Sequence, residues 1–388
     1  MMSDIVYLDN AATSWPKPDP VKDAVAEYFG SAGGNPGRSG HRMSVGAARV
    51  VEGTRDSLAE LFGIDDPGRI ALAKNATEAL NIAIYGLVAP GDHVVTSSIE
   101  HNSVMRPLRD LEARGALLSV VECGADGQID PGAVREALRP ETRLIVTLHG
   151  SNVTGTLLPV AEIASIARGT DVPYLVDASQ TAGAVPIDLS LLGIDLLAFT
   201  GHKGLLGLTG TGGLVVRDGL EIRPLLRGGT GSRSDLEVHP DFMPDSLEAG
   251  TLNVAGLAGL GAGVRFLLDR GVEDVARHER DLVERLLAGL AAIAGVTVYG
   301  PDSLDSRCGV VSFNVAGLAC SEVGGLLDTR YDVMSRVGLH CAPGAHRTIG
   351  TFPQGTVRFG LSPLNTAAEI DHAVAAVGEI AGWAADVA

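Results

Sequence analysis

The stretch Leu196-Leu197-Ala198-Phe199-Thr200-Gly201-His202-Lys203-Gly204 joins an apolar run to a polar turn that carries a lysine. The run is too short for a buried helix and shows no polar alternation, so it reads as a strand covered on both faces. Similar short runs stand at Ile70–Ala73, His93–Ser97, Leu117–Glu122, Leu144–Leu148, Tyr174–Asp177 and Gly213–Val216. Helical periodicity separates several of them, as in Ala76–Val88 and Val160–Arg168. Strands alternating with helices predict an α/β fold built on a large, mainly parallel sheet.

Beyond about residue 264 the texture changes. A charged helical pattern (Val275–Ala294) leads to short runs at Val296–Tyr299, Val310–Val315 and Thr356–Leu361. In the last helical stretch Ile370, Val374, Val377 and Ile380 share one face, a spacing that packs on a small sheet. The expectation is a large α/β domain at 15–264 and a small α+β domain at 265–388, with residues 1–14 returning to the smaller one.

The chain carries a formal charge of −17, a surface that repels nucleic-acid phosphates and anionic lipid. Neither is an expected partner. The first ten residues show no basic region followed by an apolar stretch, so no secretory signal is expected. Polar residues and glycines interrupt the charge-free runs Leu144–Ala161 and Ala249–Val264, which argues against a membrane span. The expected location is the cytoplasm. The four cysteines, 123, 308, 320 and 341, form no CxxC pair and no metal spacing, so reduced thiols and no metal site are expected.

In doubly wound sheets, ligands gather at the carboxyl ends of the strands. Four such ends are rich here: KNATEALN after Ile70–Ala73, HGSNVTGT after Leu144–Leu148, DASQTAG after Tyr174–Val176, and TGHKG after Leu196–Phe199. A lysine placed like Lys203 is either a Schiff-base residue or a solvated loop lysine. Asp177, ending an apolar strand, is costly unless paired; it is either a helix cap or the partner of a protonated pyridine nitrogen, as pyridoxal phosphate would supply. Asn75-Ala76-Thr77-Glu78 opens a helix, where free amides and a hydroxyl can hold a phosphate or simply cap the helix. His101 can stack on an aromatic cofactor or cap a loop.

The chain resembles the class V aminotransferase-type proteins, in their cysteine desulfurase and selenocysteine lyase branch. The resemblance rests on YLDNAATSWPKP (7–18), NPGRSGHRMS (35–44), NATEALN (75–81), IEHNSV (99–104) and SNVTGT (151–156). It continues through VDASQTAG (176–183), FTGHKG (199–204), LEAGTLN (247–253), RVGLHCAP (336–343) and VRFGLSPLN (357–365). These segments follow the family order over almost the whole chain. The resemblance implies the type I pyridoxal-phosphate fold and a homodimer with each site at the subunit interface. It implies that Lys203 forms the Schiff base, Asp177 pairs with the pyridine nitrogen, Gln180 bonds the phenolic oxygen and His101 stacks on the ring. Thr77, Thr200 and His202 would hold the phosphate, joined by Thr251 of the other subunit. Asn152 and Arg358 would take the substrate carboxylate, with Arg336 beside the reactive cysteine.

That cysteine is Cys341. Arg-Val-Gly-Leu-His-Cys-Ala-Pro resembles the branch with a short, ordered cysteine loop, where two histidines commonly precede the cysteine. Here Leu339 replaces the first and His340 remains. A thiolate is the working form, favoured by a neighbouring cation. The implied reaction converts L-cysteine to L-alanine and leaves a persulfide on Cys341, to be passed to an acceptor protein or small thiol. Selenocysteine lyase activity is the first alternative, and an aminotransferase or epimerase reaction on the same fold is the second. Cys123, Cys308 and Cys320 read as structural.

Overall fold

The computed structural model describes residues 5–36, 40–233 and 235–387; residues 37–39 of the NPGRSGHRMS stretch and the first four residues lie outside them. Seven strands form the large sheet, in the order Ile70–Ala73, Gly212–Val216, Leu196–Thr200, Tyr174–Asp177, Thr142–Leu148, His93–Ser97, Leu117–Val121. Only Gly212–Val216 runs against its two neighbours; the other pairs are parallel. Alternation along each strand explains why these runs are apolar throughout. Leu197, Phe199, Ile145, Tyr174 and Val176 enter one core, while Leu196, Ala198, Leu144, Val146 and Leu175 enter the core on the opposite face.

One consequence decides where function sits. The turns after Ala73, Ser97, Leu148, Asp177 and Thr200 all leave the sheet at the same edge.

The second sheet has four antiparallel strands, ordered Arg336–Gly338, Thr356–Gly360, Val310–Val315, Val296–Tyr299. Its core unites Val311, Phe313 and Phe359 with Leu282 and Leu286 of helix Val272–Ala291 and with Ile370, Val377 and Ile380 of helix Ala367–Val387. Val6–Tyr7 pairs in parallel with Val333–Met334, and Asp9 bridges Gly360. Only glycine fits at 360, because a Cβ there would lie 2.5 Å from the Ala11 nitrogen.

Several helices were not singled out in the sequence pattern, among them Asp19–Glu27, Arg42–Phe62 and Val254–Arg270. The last contains four glycines, residues of low helix propensity, which hid it. Close packing explains at least one: a Cβ at Gly263 would stand 2.4 Å from the Leu205 carbonyl oxygen. This helix continues without a break through residues 264 and 265. Among the described residues, no helix is long and apolar enough to cross a membrane.

Arg42–Phe62 carries a buried ion pair. Both Nη atoms of Arg55 lie 2.7 Å from the carboxylate oxygens of Glu248, with side chains 5% and 7% exposed. Glu248 also accepts from the Leu72 amide, so the pair ties the LEAGTLN segment to the first strand of the sheet. Removing one partner strands the other charge away from water. Arg55→Ala should therefore lower the unfolding free energy by about 3–5 kcal/mol, measured by denaturant titration. A loss below 1 kcal/mol, the value for a surface pair, would contradict this assignment.

Candidate active site

The turns at the carboxyl edge and the Arg336–Gly360 region of the small sheet enclose a cavity of about 300 Å³. Every site residue anticipated from the sequence lines it except Thr251, which lines a separate groove with Arg227 and Arg233.

Asp177 is the last residue of its strand and is buried; its Oδ1 accepts from the amide of Ser179 (2.9 Å) and from the Ser179 hydroxyl. Lys203 lies one strand away, past Thr200. Burial pushes its amine down to about 8, with Arg358 and Arg336 acting in the same direction and Asp177 and Asp9 opposing them. An uncharged lysine is thus accessible near neutral pH.

His101 caps helix Asn102–Ala113: its Nδ1 accepts from the Ser103 amide at 3.0 Å. Burial lowers its basicity to about 4, so the ring is neutral at pH 7 and the proton sits on Nε2. Ser103 Oγ lies 2.9 Å from that Nδ1 and 2.8 Å from Thr77 Oγ1, joining the two residues. Thr77 stands in the first turn of helix Ala76–Leu87, which Asn75 caps by accepting from the Glu78 amide. Gln180 Nε2 donates to the Ala11 carbonyl at 3.1 Å.

Several buried polar atoms of this cavity lack a partner among the described residues: Thr200 Oγ1, His202 Nδ1, Asn152 Oδ1, His340 Nδ1 and Arg358 Nε. An unsatisfied buried polar group costs about 1–3 kcal/mol, so their convergence marks a place built for a polar ligand. Arg358 and Arg336 add to this. They face each other across two antiparallel strands, where like charges are unfavourable without an anion between or beside them. Arg358 is buried, whereas Arg336 is exposed.

Cys341 is exposed at the same cavity. His340 and Cys341 both adopt left-handed backbone, φ 47° and 57°, a conformation that costs side-chain-bearing residues and persists where the surroundings impose it. Two contacts impose it here. Asn152 Nδ2 donates to the His340 carbonyl (2.7 Å), and the Asn102 amide donates to the Cys341 carbonyl (2.8 Å). His340 is buried against His346, with ring centroids 5.6 Å apart, and its Nε2 lies 3.2 Å from Thr356 Oγ1.

Known proteins share this fold and much of this sequence. The model of the class V aminotransferases matches residues 6–373. The chain belongs to that family. It is 37% identical to a probable cysteine desulfurase of Methanothermobacter thermautotrophicus, covering 98% of this chain and 96% of the relative. It is 33% identical to a cysteine desulfurase of Haloferax volcanii, covering 96% and 88%. The apo structure of a cysteine desulfurase from Thermococcus onnurineus superposes with a TM-score of 0.92 at 34% identity, covering 98% of this chain and 95% of that one. The cysteine desulfurase CsdA of Escherichia coli gives 0.86 at 29% identity, covering 100% and 96%. The fold is the type I pyridoxal-phosphate fold, as the sequence suggested.

Two polar residues that line the cavity were not singled out in the sequence. Ser103 stands in IEHNSV and Ser179 in VDASQTAG, but only the fold shows that they bond His101 and Asp177. Among the described residues, no cluster of three or more His, Cys, Asp or Glu side chains could hold a metal ion.

The depressed basicity of Lys203 has a measurable consequence. In the cofactor-free protein, its labelling by an amine-selective reagent, followed by peptide mapping, should reach half its plateau rate near pH 8, below the range of an ordinary lysine. Because Asp177 raises the value, Asp177→Asn should move this midpoint to lower pH. A midpoint above 10, or an upward shift in the variant, would refute the assignment.

Proposed function

We propose that this protein is a pyridoxal-phosphate-dependent cysteine desulfurase, converting L-cysteine to L-alanine and leaving a persulfide on Cys341. The observation that carries the reading is the placement of Cys341: an exposed thiol, in strained backbone, on the rim of the cavity that holds Lys203, Asp177 and Arg358. An aminotransferase has no use for that thiol. The names of the full-length relatives support the same reading.

The residues fit the cofactor. Thr200 Oγ1 and His202 Nδ1 are unpartnered, and Thr77 sits at a helix N-terminus; together they would hold the phosphate. Asp177 would hold the pyridine nitrogen protonated, Gln180 the phenolic oxygen, His101 the ring face and Lys203 the aldehyde carbon. When bound, the cofactor supplies an electron sink that stabilises negative charge at the substrate's Cα.

The protein's own groups do the rest. Arg358 and Asn152 hold the substrate carboxylate, orienting the Cα–H bond toward Lys203. Lys203 would accept the Cα proton at neutral pH because burial has lowered its basicity. Cys341 as thiolate then forms a bond to the substrate sulfur. The Cβ–S bond breaks and its electron pair stays with the carbon fragment, which becomes alanine by taking up a proton at Cβ and regaining the Cα proton from Lys203. Arg336 lines the same cavity as the thiol.

The acceptor would be a protein or a small thiol, since Cys341 is open to solvent. We also propose a cytoplasmic homodimer in which the partner's Thr251 completes the phosphate site. In support, Thr251 lies outside the Lys203 cavity, and the neighbouring segment exposes Leu226, Leu236 and Val238. The separate cores of the two sheets support the proposed division into domains at 15–264 and 265–388, with 1–14 joining the second, although Leu267 and Val275 pack in the first core and helix Val254–Arg270 crosses the boundary.

Cys341→Ala separates cofactor chemistry from sulfur chemistry. The loaded variant should keep the cofactor's absorption band and its spectral response to L-cysteine, while alanine formation falls by orders of magnitude. Unchanged alanine formation would refute the desulfurase reading. Selenocysteine turnover that exceeds cysteine turnover in the unmodified protein would favour a selenocysteine lyase.

A further inference from the structure

The segment Tyr7–Pro18 crosses from the small sheet to the lysine turn. Asn10 Nδ2 donates to the Gly360 carbonyl at 3.0 Å. The carbonyl of His202, next to Lys203, accepts from the Ser14 amide (2.9 Å), Ser14 Oγ (3.1 Å) and Lys17 Nζ (3.2 Å). Beside the first anchor lies Asp9, whose Oδ1 is 3.0 Å from Arg358 Nη2. On the other side, Arg358 Nη1 donates to the Asn152 carbonyl, also at 3.0 Å. Two acceptors from unrelated elements thus grip the two Nη atoms, while the buried Nε has no partner.

We propose that Asp9 is the positioning residue of the carboxylate clamp, fixing the plane of Arg358 and offsetting one of the two arginine charges that face each other across the small sheet. The proposal rests on the reading of Arg358 as the substrate's carboxylate ligand.

The physical argument has two parts. A guanidinium binds a carboxylate through a planar fork, so affinity depends on the plane being set before the ligand arrives. Asp9 and the Asn152 carbonyl set it, and the close approach of Ala11 to Gly360 holds Asp9 in register. The second part is charge. Arg358 is buried and stands opposite Arg336; among the described residues Asp9 is the carboxylate that pairs with the guanidinium, and a buried cation stripped of its partner is strongly unfavourable. The charge of Asp9 also reaches Lys203. The groups that act on Lys203 are Asp177 and Asp9, which raise its basicity, and Arg358 and Arg336, which lower it. Neutralising Asp9 should lower it further.

The test compares Asp9→Asn, Asp9→Ala and Arg358→Ala in the holoenzyme. Steady-state kinetics with L-cysteine give kcat and KM, and calorimetry with 3-mercaptopropionate, a carboxylate without an amine, reads clamp affinity without turnover. Both Asp9 variants should raise KM and weaken the analogue about ten- to a hundredfold, the loss of one hydrogen bond to a charged group, with kcat little changed. In an Arg358→Ala background, Asp9→Asn should add no further loss. In the cofactor-free protein, Asp9→Asn should shift the pH dependence of pyridoxal-phosphate uptake to lower pH. Should Asp9→Ala fail to fold, the isosteric Asp9→Asn carries the same comparison. If Asp9→Asn leaves KM and analogue affinity unchanged while Arg358→Ala weakens both, Asp9 is not a positioning residue and the clamp reading stands. If Arg358→Ala also changes neither, the clamp reading falls with it.

Discussion

Buried polar atoms without protein partners converge on one cavity, and that convergence organises the account of this protein. Thr200 Oγ1, His202 Nδ1, Asn152 Oδ1, His340 Nδ1 and Arg358 Nε come from four separate stretches of chain, yet all line the same 300 Å³ space. Folding would not tolerate that density of unmet donors and acceptors unless a ligand met them. Their arrangement also has polarity. A hydroxyl, an imidazole and a helix N-terminus, groups suited to a phosphate, come from the large sheet's turns, and two arginines, suited to a carboxylate, come from the small sheet.

The sheet makes this possible. Because all but one strand of the large sheet run the same way, their following turns share an edge, and side chains distant in sequence meet there. The small sheet contributes the opposing wall through Arg336 and Arg358, and the cysteine loop closes the rim. Lys203 is desolvated between these two walls, which lowers its basicity, while the charge of Asp177 limits the fall. One charge balance therefore sets both the lysine's readiness to move protons and the anion affinity of the site.

Much of this was legible in the sequence. The apolar runs gave the strands because strands buried on both faces have no polar side, and Tyr174–Asp177 and Leu196–Thr200 match the observed limits. Lys203 and Asp177 stood out because charged residues at the ends of apolar strands demand a reason. Other features lay beyond a linear reading. Helix Val254–Arg270 is stabilised by packing that its glycines permit, so propensity argued against it. The roles of Ser103 and Asp9 depend on contacts between segments, 26 and 349 residues apart, that no local pattern encodes. The left-handed backbone at His340 and Cys341 was equally hidden, since neither residue type signals it.

The central claim is that Cys341 receives the sulfur. It is tested most directly by mixing the loaded protein with one equivalent of L-cysteine, quenching, alkylating the thiols and mapping the peptides by mass spectrometry. The account predicts one additional sulfur atom on the peptide that carries Cys341, in an amount equal to the alanine formed. Alanine released while Cys341 stays unmodified, or extra sulfur found on Cys123, Cys308 or Cys320 instead, would contradict it.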